Sequence, residues 1–211
     1  MVSQDQFNRL VIACRALAPA QNDYRVDDFV DNLLLTVLDF QMRTVAVERA
    51  MAHFKRSCRE HLRSVEQIEN LLARYADDQA GNTALATHLW GYKLWTRARM
   101  LRNLVRYFDT RGVRTQTALH DWARSSDYAH DFAGQVRGLG PAVYNWLVMR
   151  QGVETIKPDV HVMRFVTTVL GYPLSSDDAV DALKVVAVEL GLKAYELDWR
   201  IWENQRRLAS A

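Results

Sequence analysis

The sequence contains little cysteine and no long apolar run. Its 211 residues include only Cys14 and Cys58, which argues against a disulfide framework and indicates reduced thiols in the cytoplasm. Two thiols also cannot supply the four ligands of an iron–sulfur cluster. No apolar run approaches the roughly 18 residues that cross a membrane, and the N-terminus lacks the basic, apolar and small segments of a signal peptide. We therefore expect a cytoplasmic protein without a membrane partner.

Strict alternation of apolar and polar residues, which marks a half-buried strand, is also absent. Apolar residues recur instead at helical spacing, and a hydrophobic content of 49% in 211 residues can bury one sizeable core or two packed lobes. The predicted fold class is therefore all-α, with two helical lobes. Residues 1–28 and 151–211 are expected to form one lobe, and residues 29–150 the other, with a hairpin at residues 127–150.

Individual helices follow from this periodicity. Helices are predicted at residues 29–40, 44–58, 64–75, 96–108, 117–124, 127–136, 141–150, 160–170 and 195–208, with one around residues 11–17 and another capped by Ser175 or Ser176. In the second of these, Val45, Met51 and Phe54 are expected to face the core. Nearly all the loops are short, so no linker divides the chain cleanly.

The charge balance is nearly neutral, but the basic residues are unevenly distributed. The net charge is +2, yet residues 93–114 contain seven basic residues against one acid, Asp109. Within this segment Arg99, Arg102 and Arg106 repeat at helical spacing and are predicted to form a basic stripe. Such a stripe can neutralise phosphates, although an ordinary solvated helix face has the same pattern. The sequence leaves both interpretations open.

The stretch with the clearest chemical meaning is residues 137–165, RGLGPAVYNWLVMRQGVETIKPDVHVMRF. Gly138-Leu139-Gly140 predicts a tight turn, and Pro141 suits the first position of a helix. Glycines let a backbone approach a phosphate closely, and helix N-termini point N–H groups at it. A second helix is predicted to begin after Pro158-Asp159, which places the Asp159 carboxylate at a helix N-terminus.

This stretch resembles the helix-hairpin-helix DNA glycosylases of base excision repair. The family's hairpin reads G-[VIL]-G, as Gly138-Leu139-Gly140 does, and its catalytic Asp stands in a D-x-H-[VIM] run, as Asp159 does. Upstream, residues 33–41 resemble the apolar helix that ends in the family's Gln, here Gln41. Residues 91–99 resemble its glycine-containing loop and basic helix. The resemblance covers roughly residues 29–170, and the hairpin with its Asp is the most specific part.

The resemblance implies a monomeric DNA N-glycosylase that binds double-stranded DNA in a cleft between the lobes. Asp159 would stabilise the sugar cation or activate water, and a monovalent cation would bind hairpin carbonyls. The expected DNA-binding residues are Gly138, Leu139, Gly140, Ala142, Gln41, Lys93, Arg97 and Arg99. Gln41 would fill the gap left by the flipped base, with Tyr92, Lys93 or Leu94 as alternative wedges. Tyr144 and Tyr92 are the candidates for the base pocket.

One departure from the family bears on the reaction. Ala142 occupies the position of the lysine nucleophile of bifunctional members, so we expect no AP-lyase activity; Lys157 is the nearest substitute and otherwise a loop lysine. Asp159 has an alternative interpretation as a simple helix cap. His161 lacks a second metal ligand at suitable spacing, so no metal site is expected. A DNA-binding protein without catalysis remains the alternative function, and mismatched, alkylated, oxidised and hypermodified bases all remain open as substrates.

Overall fold

The structure, a computed structural model, describes residues 2–19 and 25–210, with the side chains of residues 209 and 210 excepted. The described residues are helical and contain no strand, so the all-α prediction is confirmed. The α-helices in chain order are α1 (Gln4–Arg15), α2 (Phe29–Leu38), α3 (Thr44–Ser57), α4 (Val65–Ala73), α5 (Gln79–Trp90), α6 (Trp95–Asp109), α7 (Gln116–Ser125), α8 (Pro141–Arg150), α9 (Val160–Leu170), α10 (Ser176–Glu189) and α11 (Ala194–Ser210). Within the described ranges, every helix is too short or too polar to span a bilayer.

The chain divides into two compact units. One, here the central unit, is Val26–Leu147, and the other, the terminal unit, combines Met1–Arg25 with Val148–Ala211. The division falls within α8, whose residues 141–147 belong to the central unit. The terminal unit therefore contains α1 together with α9, α10 and α11, which are far from α1 in sequence.

The central unit is built around α2 and α6. Asp28 caps α2 by accepting a hydrogen bond from the main-chain N–H of Asp31, at 2.9 Å, and most of the helix is buried. Helix α6 packs against α2, α4 and α5. The predicted inward face of α6 is confirmed, since these four residues are buried: Ala98, Leu101, Val105 and Phe108. Phe108 joins an aromatic cluster with Tyr107 and Trp122, in which ring edges meet ring faces.

The core of the terminal unit is aliphatic. Helix α1 packs against α9 and α10, and α11 packs against the same two helices. Their inward residues form one cluster, which includes Leu10, Val166, Leu183, Leu197 and Ile201. Burial of these side chains removes apolar surface from water, and this stabilises the packing of helices distant in sequence.

Two sequence predictions about helices were wrong, and one helix was missed. Helix α5 was not predicted, because its apolar residues do not lie on one face and it contains Gly81. Residues 127–136 do not form an α-helix. They contain a π-helical turn at Tyr128–Phe132, in which Ala133 N donates to Tyr128 O, and turns follow. Val45 does not face the core, since it is 49% exposed.

Candidate functional site

The hairpin turn of the central unit lies at the predicted glycines. Gly138 has φ +93°, in the left-handed region that side chains disfavour, and a Cβ there would clash with Met100 Cε. Leu139 is buried and its N–H donates to Val136 O at 3.1 Å. Gly140 differs from Gly138, because its φ is not positive and a Cβ would have open space around it. Only Gly138 is therefore demanded by the fold itself.

Helix α8 begins directly after this turn. The main-chain N–H groups of Val143 and Tyr144 both donate to Gly140 O, each at 3.1 Å, and Pro141 occupies the first helical position. Ala142 lies half-buried in the same first turn. Position 142 therefore presents a methyl group and no amine.

A pocket of about 420 Å³ lies beside the hairpin. Its lining residues come from the start of α6 and from the hairpin: Trp95, Thr96, Arg99, Met100, Asn103, Arg137 and Gly138. Arg99 and Arg137 are exposed, and no acidic residue lines the pocket. The pocket thus brings two predicted DNA contacts, Arg99 and Gly138, to one place. Arg137 was missed as a site residue, although a basic residue directly before the first hairpin glycine was a usable signal.

The turn that contains Gln41 lies near the same hairpin. Gln41 is exposed and has φ +52°, and it is the only non-glycine with positive φ among the described residues. The side chain of Arg97 reaches this turn, with Nη2 donating to Phe40 O at 2.5 Å and the guanidinium 4.8 Å from the Phe40 ring centroid. A Cβ at Gly138 would lie 3.7 Å from Phe40 Cζ. Backbone strain of this kind persists where the surroundings enforce it, often at functional sites.

The remaining predicted basic contacts fall into two groups. Lys93 and Arg106 are exposed, as Arg99 is. The guanidinium of Arg102, in contrast, donates to Asn82 Oδ1 at 2.8 Å, Leu72 O at 2.8 Å and Tyr75 O at 2.7 Å. The predicted stripe was therefore wrong at Arg102, which binds the ends of helices that pack on α6. Arg97 is likewise engaged inside the protein, and burial lowers the pKa of its guanidinium.

Tyr144 does not offer its ring to a base. It is buried, and its hydroxyl donates to Ser126 O at 2.8 Å while lying 2.9 Å from Ser126 Oγ. Its ring centroid lies 5.5 Å from that of Phe132 and 6.0 Å from that of Trp122. Burial raises the pKa of the Tyr144 hydroxyl. Tyr92, the other candidate for the base pocket, is half-buried between α5 and α6.

In the terminal unit, Asp159 caps the N-terminus of α9. Its Oδ1 accepts hydrogen bonds from His161 N at 2.8 Å and Val162 N at 3.1 Å. Its Oδ2 lies 3.8 Å from Lys157 Nζ, and 16% of the Asp159 side chain is exposed. The carboxylate is thus fixed by two N–H groups beside the positive end of a helix dipole.

The segment before Asp159 is a three-residue turn. Asp159 N donates to Lys157 O at 2.8 Å, which closes a γ-turn around Pro158, and the fixed φ of proline suits its centre. Lys157 N in turn donates to Asp198 Oδ1 at 2.7 Å. Asp198, on α11, was missed by the sequence interpretation. The only signal was a carboxylate among apolar residues such as Leu197 and Ile201.

Asp198 is buried, with 4% of its surface exposed. Burial raises the pKa of its carboxyl to about 8, and the negative charge of Asp159 acts in the same direction. The hydrogen bond from Lys157 N and the ammonium of Lys157 oppose these two effects. Asp198 therefore differs in protonation at neutral pH from an aspartate in water.

Aromatic residues of α11 adjoin the start of α9. The His161 and Trp202 ring centroids are 6.4 Å apart, and Trp202 stacks on Trp199 at 4.7 Å. The guanidinium of Arg206 lies 4.6 Å from the Trp202 ring centroid. His161 Nδ1 is buried without a hydrogen-bond partner among the described residues. In the same part of the chain and elsewhere in the described ranges, no three His, Cys, Asp or Glu side chains group as metal ligands.

The hairpin backbone gives no specific support for the monovalent cation that the resemblance implies. Val136 O and Gly140 O already accept main-chain hydrogen bonds. The two cysteines, Cys14 and Cys58, are both buried thiols and lie in different units.

Comparison with known proteins gives a family without an assigned activity. No curated protein and no solved structure matches the chain. The model of a family described as a domain of unknown function, DUF8548, matches residues 8–206. Because this match extends from α1 to α11, the chain belongs to the DUF8548 family.

Proposed function

We propose that the protein is a monofunctional DNA glycosylase, which hydrolyses the N-glycosidic bond of an altered base in duplex DNA. The observation that carries the proposal is the carboxylate of Asp159, held by two main-chain N–H groups at the start of α9. In the sequence, Asp159 comes shortly after a glycine hairpin, and this hairpin lies beside a basic pocket. Each feature occurs alone in many proteins, but their combination favours this function.

The role of Asp159 follows from the charge that develops in the reaction. Departure of the base leaves positive charge on the deoxyribose, as in other glycoside cleavages. A fixed carboxylate stabilises that charge without reorganising, and it can orient the attacking water. Oδ1 is engaged by the N–H groups of α9, so we assign Oδ2 to the sugar or the water. In the protein without DNA, Oδ2 forms an ion pair with Lys157 Nζ, at a distance of 3.8 Å.

The central unit is proposed to hold the DNA. Arg99 and Arg137 carry positive charge at the pocket beside Gly138, and the open surface at Gly140 lets a phosphate approach the backbone. Gln41, on its strained turn, is assigned to the gap that the flipped nucleotide leaves.

Strand cleavage is not part of the proposed reaction. A lyase needs an amine nucleophile that forms a Schiff base with the sugar, and Ala142 has none. Lys157 pairs with Asp159 and has its main chain fixed by Asp198. We therefore expect borohydride to trap no adduct between protein and DNA, and strands to break only after alkali. An adduct that disappears in Lys157→Ala would instead make Lys157 the nucleophile.

A binding-only protein is the competing function. The hydrogen bonds of Asp159 are also those of an ordinary N-cap, which stabilises a helix by about 1 kcal/mol. Under this alternative the pocket and hairpin recognise distorted DNA, and Asp159 serves the fold alone. Excision assays on duplexes that each contain one altered base separate the two functions.

The decisive variant is Asp159→Asn, which keeps the size and much of the capping ability but removes the charge. We expect it to bind the substrate duplex and to excise the base at least about 100-fold more slowly, a typical loss for one electrostatic stabiliser. Asp78→Asn is the matched control, because Asp78 is also an N-cap, accepting from Gly81 N at the start of α5, and is exposed. Undiminished excision in Asp159→Asn would remove the mechanism. If no duplex in the panel loses a base, the binding-only function replaces it.

A further inference from the structure

Asp198 stands out among the buried polar residues of the described chain. The others are amides, hydroxyls and one guanidinium, whereas Asp198 is the only acid among them. An isolated carboxylate is costly to bury, so such groups either pair or become neutral. The contact that Asp198 makes, to the main chain of Lys157 at 2.7 Å, lies two residues from the carboxylate proposed to do chemistry.

The geometry forms a continuous chain of contacts. Asp198 Oδ1 accepts from Lys157 N, and Lys157 O accepts from Asp159 N at 2.8 Å. Asp159 Oδ1 then accepts from the N–H groups of α9. The γ-turn around Pro158 is therefore held on one side by α11 and on the other by α9. A movement of the Asp198 side chain would therefore be transmitted to Asp159 through these hydrogen bonds.

The charged groups that act on Asp198 come from the segment before α9. Asp159 disfavours its ionisation, and Lys157 favours it. In α9 itself the nearest titratable ring is His161, which contacts Trp202 one turn beyond Asp198 on α11. The buried residues of α10 are all apolar: Ala179, Ala182, Leu183, Val186 and Ala187. The state of Asp198 is therefore set mainly by its burial and by Asp159.

We propose that Asp198 is a positioning residue, which fixes Asp159 in its working position through the Lys157–Pro158 turn. Asp198 holds a proton at neutral pH. In this state Oδ1 accepts from Lys157 N, and only Asp159 carries negative charge in the site. Loss of the proton from Asp198 places a second negative charge beside Asp159. The two carboxylates then repel each other and compete for the ammonium of Lys157, so Asp159 is displaced. The assignment of Asp159 as the carboxylate that acts in the reaction rests on the proposed function.

The first test needs no DNA and no activity. Carboxyl carbon NMR of aspartate-labelled protein, with the Asp198 signal assigned by its loss in Asp198→Asn, follows the titration directly. We expect a midpoint near pH 8, the pKa of about 8 given by burial, against about 4 for an ordinary aspartate. The amide signals of Lys157, His161 and Val162 should shift with the same midpoint and lose this transition in Asp198→Asn. A midpoint below pH 5, or amides that do not follow it, overturns the proposal.

The second test uses single-turnover excision across pH. Above the midpoint the wild-type rate should fall about tenfold per pH unit, because only the protonated form is competent. Asp198→Asn mimics the protonated carboxyl, so its excision rate at pH 7 should be within about 3-fold of the wild-type rate. It should also lose the fall in rate at high pH, here called the basic limb. Asp198→Ala removes the acceptor for Lys157 N and should be slower at all pH values by about tenfold or more. Asp181→Asn, at an exposed acid on α10, is the matched control.

The two tests separate the failure of this proposal from the failure of the proposed function. If no base is excised but Asp198 titrates near pH 8 and moves the amides around Asp159, the glycosylase assignment fails and the positioning contact stands. If excision occurs and Asp198→Asn keeps the wild-type basic limb, the glycosylase assignment stands and the positioning role fails.

Discussion

Gly138 and Gly140, two residues apart in the hairpin, have different reasons to be glycine. Gly138 has a left-handed backbone that side chains disfavour, whereas Gly140 has no such constraint and open space around a Cβ. We predicted the turn from the two glycines, and we interpreted both as positions where the backbone can come close to a phosphate. Which of the two serves the fold depends on their backbone conformations in the turn, and the spacing of the glycines does not reveal these.

The glycines give the first residue-scale prediction. Gly140→Ala should leave the melting temperature within about 2 °C of wild type yet weaken duplex binding at all sequences, because the new methyl group obstructs close approach. Gly138→Ala should lower the unfolding free energy by about 1–2 kcal/mol, the cost of a side chain in the left-handed region. Thermal melts and fluorescence anisotropy measure the two effects. Wild-type affinity in Gly140→Ala would exclude this surface as the phosphate site.

A second residue-scale prediction concerns stability and pH. Because the folded pKa of Asp198 is raised to about 8, the native state binds a proton that the unfolded chain releases near pH 4. The unfolded chain therefore binds fewer protons in this window, and wild-type stability falls as pH rises from about 4 to about 8. Relative to wild type, Asp198→Asn should gain unfolding free energy across this window and level off above it. Urea unfolding at several pH values measures the difference, and a constant difference between pH 5 and pH 8 would contradict it.

At the scale of the element, α6 presents different residues to protein and to solvent. Its apolar face was predictable from spacing, and so was the position of Arg99 on another face. The role of Arg102 was not predictable, because its acceptors include Asn82 on α5, a helix with no amphipathic pattern to reveal it. Similarly, local spacing predicted a helix at residues 127–136, but they contain a π-helical turn at Tyr128–Phe132. The rings of Phe132 and Tyr128 in this turn contact those of Tyr107 and Tyr144.

Helix α6 yields a prediction about salt. Each phosphate contact contributes about one unit to the slope of log affinity against log salt concentration. The double variant Arg99→Gln/Arg137→Gln should therefore lower this slope by about 2, with an unchanged melting temperature. Arg102→Gln is the matched comparison, since it removes hydrogen bonds inside the fold. It should lower the unfolding free energy by about 2–3 kcal/mol and keep the slope. The opposite pattern would place the DNA contact on the other face of α6.

At the scale of the whole molecule, the central unit is continuous in sequence and the terminal unit is not. The helical class could be predicted from periodicity, and the helix that begins after Asp159 from the Pro158-Asp159 pair. Asp198 could not, because 38 residues separate it from Asp159 and only packing of α11 on α9 brings them together. Local patterns identify helices and turns, whereas the support of a site depends on which distant helices meet.

Under the proposed function, this organisation predicts that DNA binding and base excision can be separated. Residues 26–150, which contain the central unit and complete α8, should fold into a helical, cooperatively melting protein with its own buried core. The fragment should bind duplex DNA but excise no base, since Asp159 is absent. Circular dichroism and anisotropy measure both properties, with Gly140→Ala in the same fragment as the control for binding. A fragment that folds but fails to bind would move the DNA site to the terminal unit.

The anchoring of the Lys157–Pro158 turn by α11 has a consequence for the newly made chain. A ribosome synthesises the hairpin first, then Asp159, and then α10 before Asp198 emerges. A nascent or prematurely terminated chain can therefore complete the surface assigned to DNA before the turn carrying Asp159 gains its support. Under the proposed function, such a chain would bind at an altered base without excising it and would block access by the intact enzyme. Under the proposed function, stop codons between residues 160 and 198 should therefore act as dominant inhibitors rather than as simple losses.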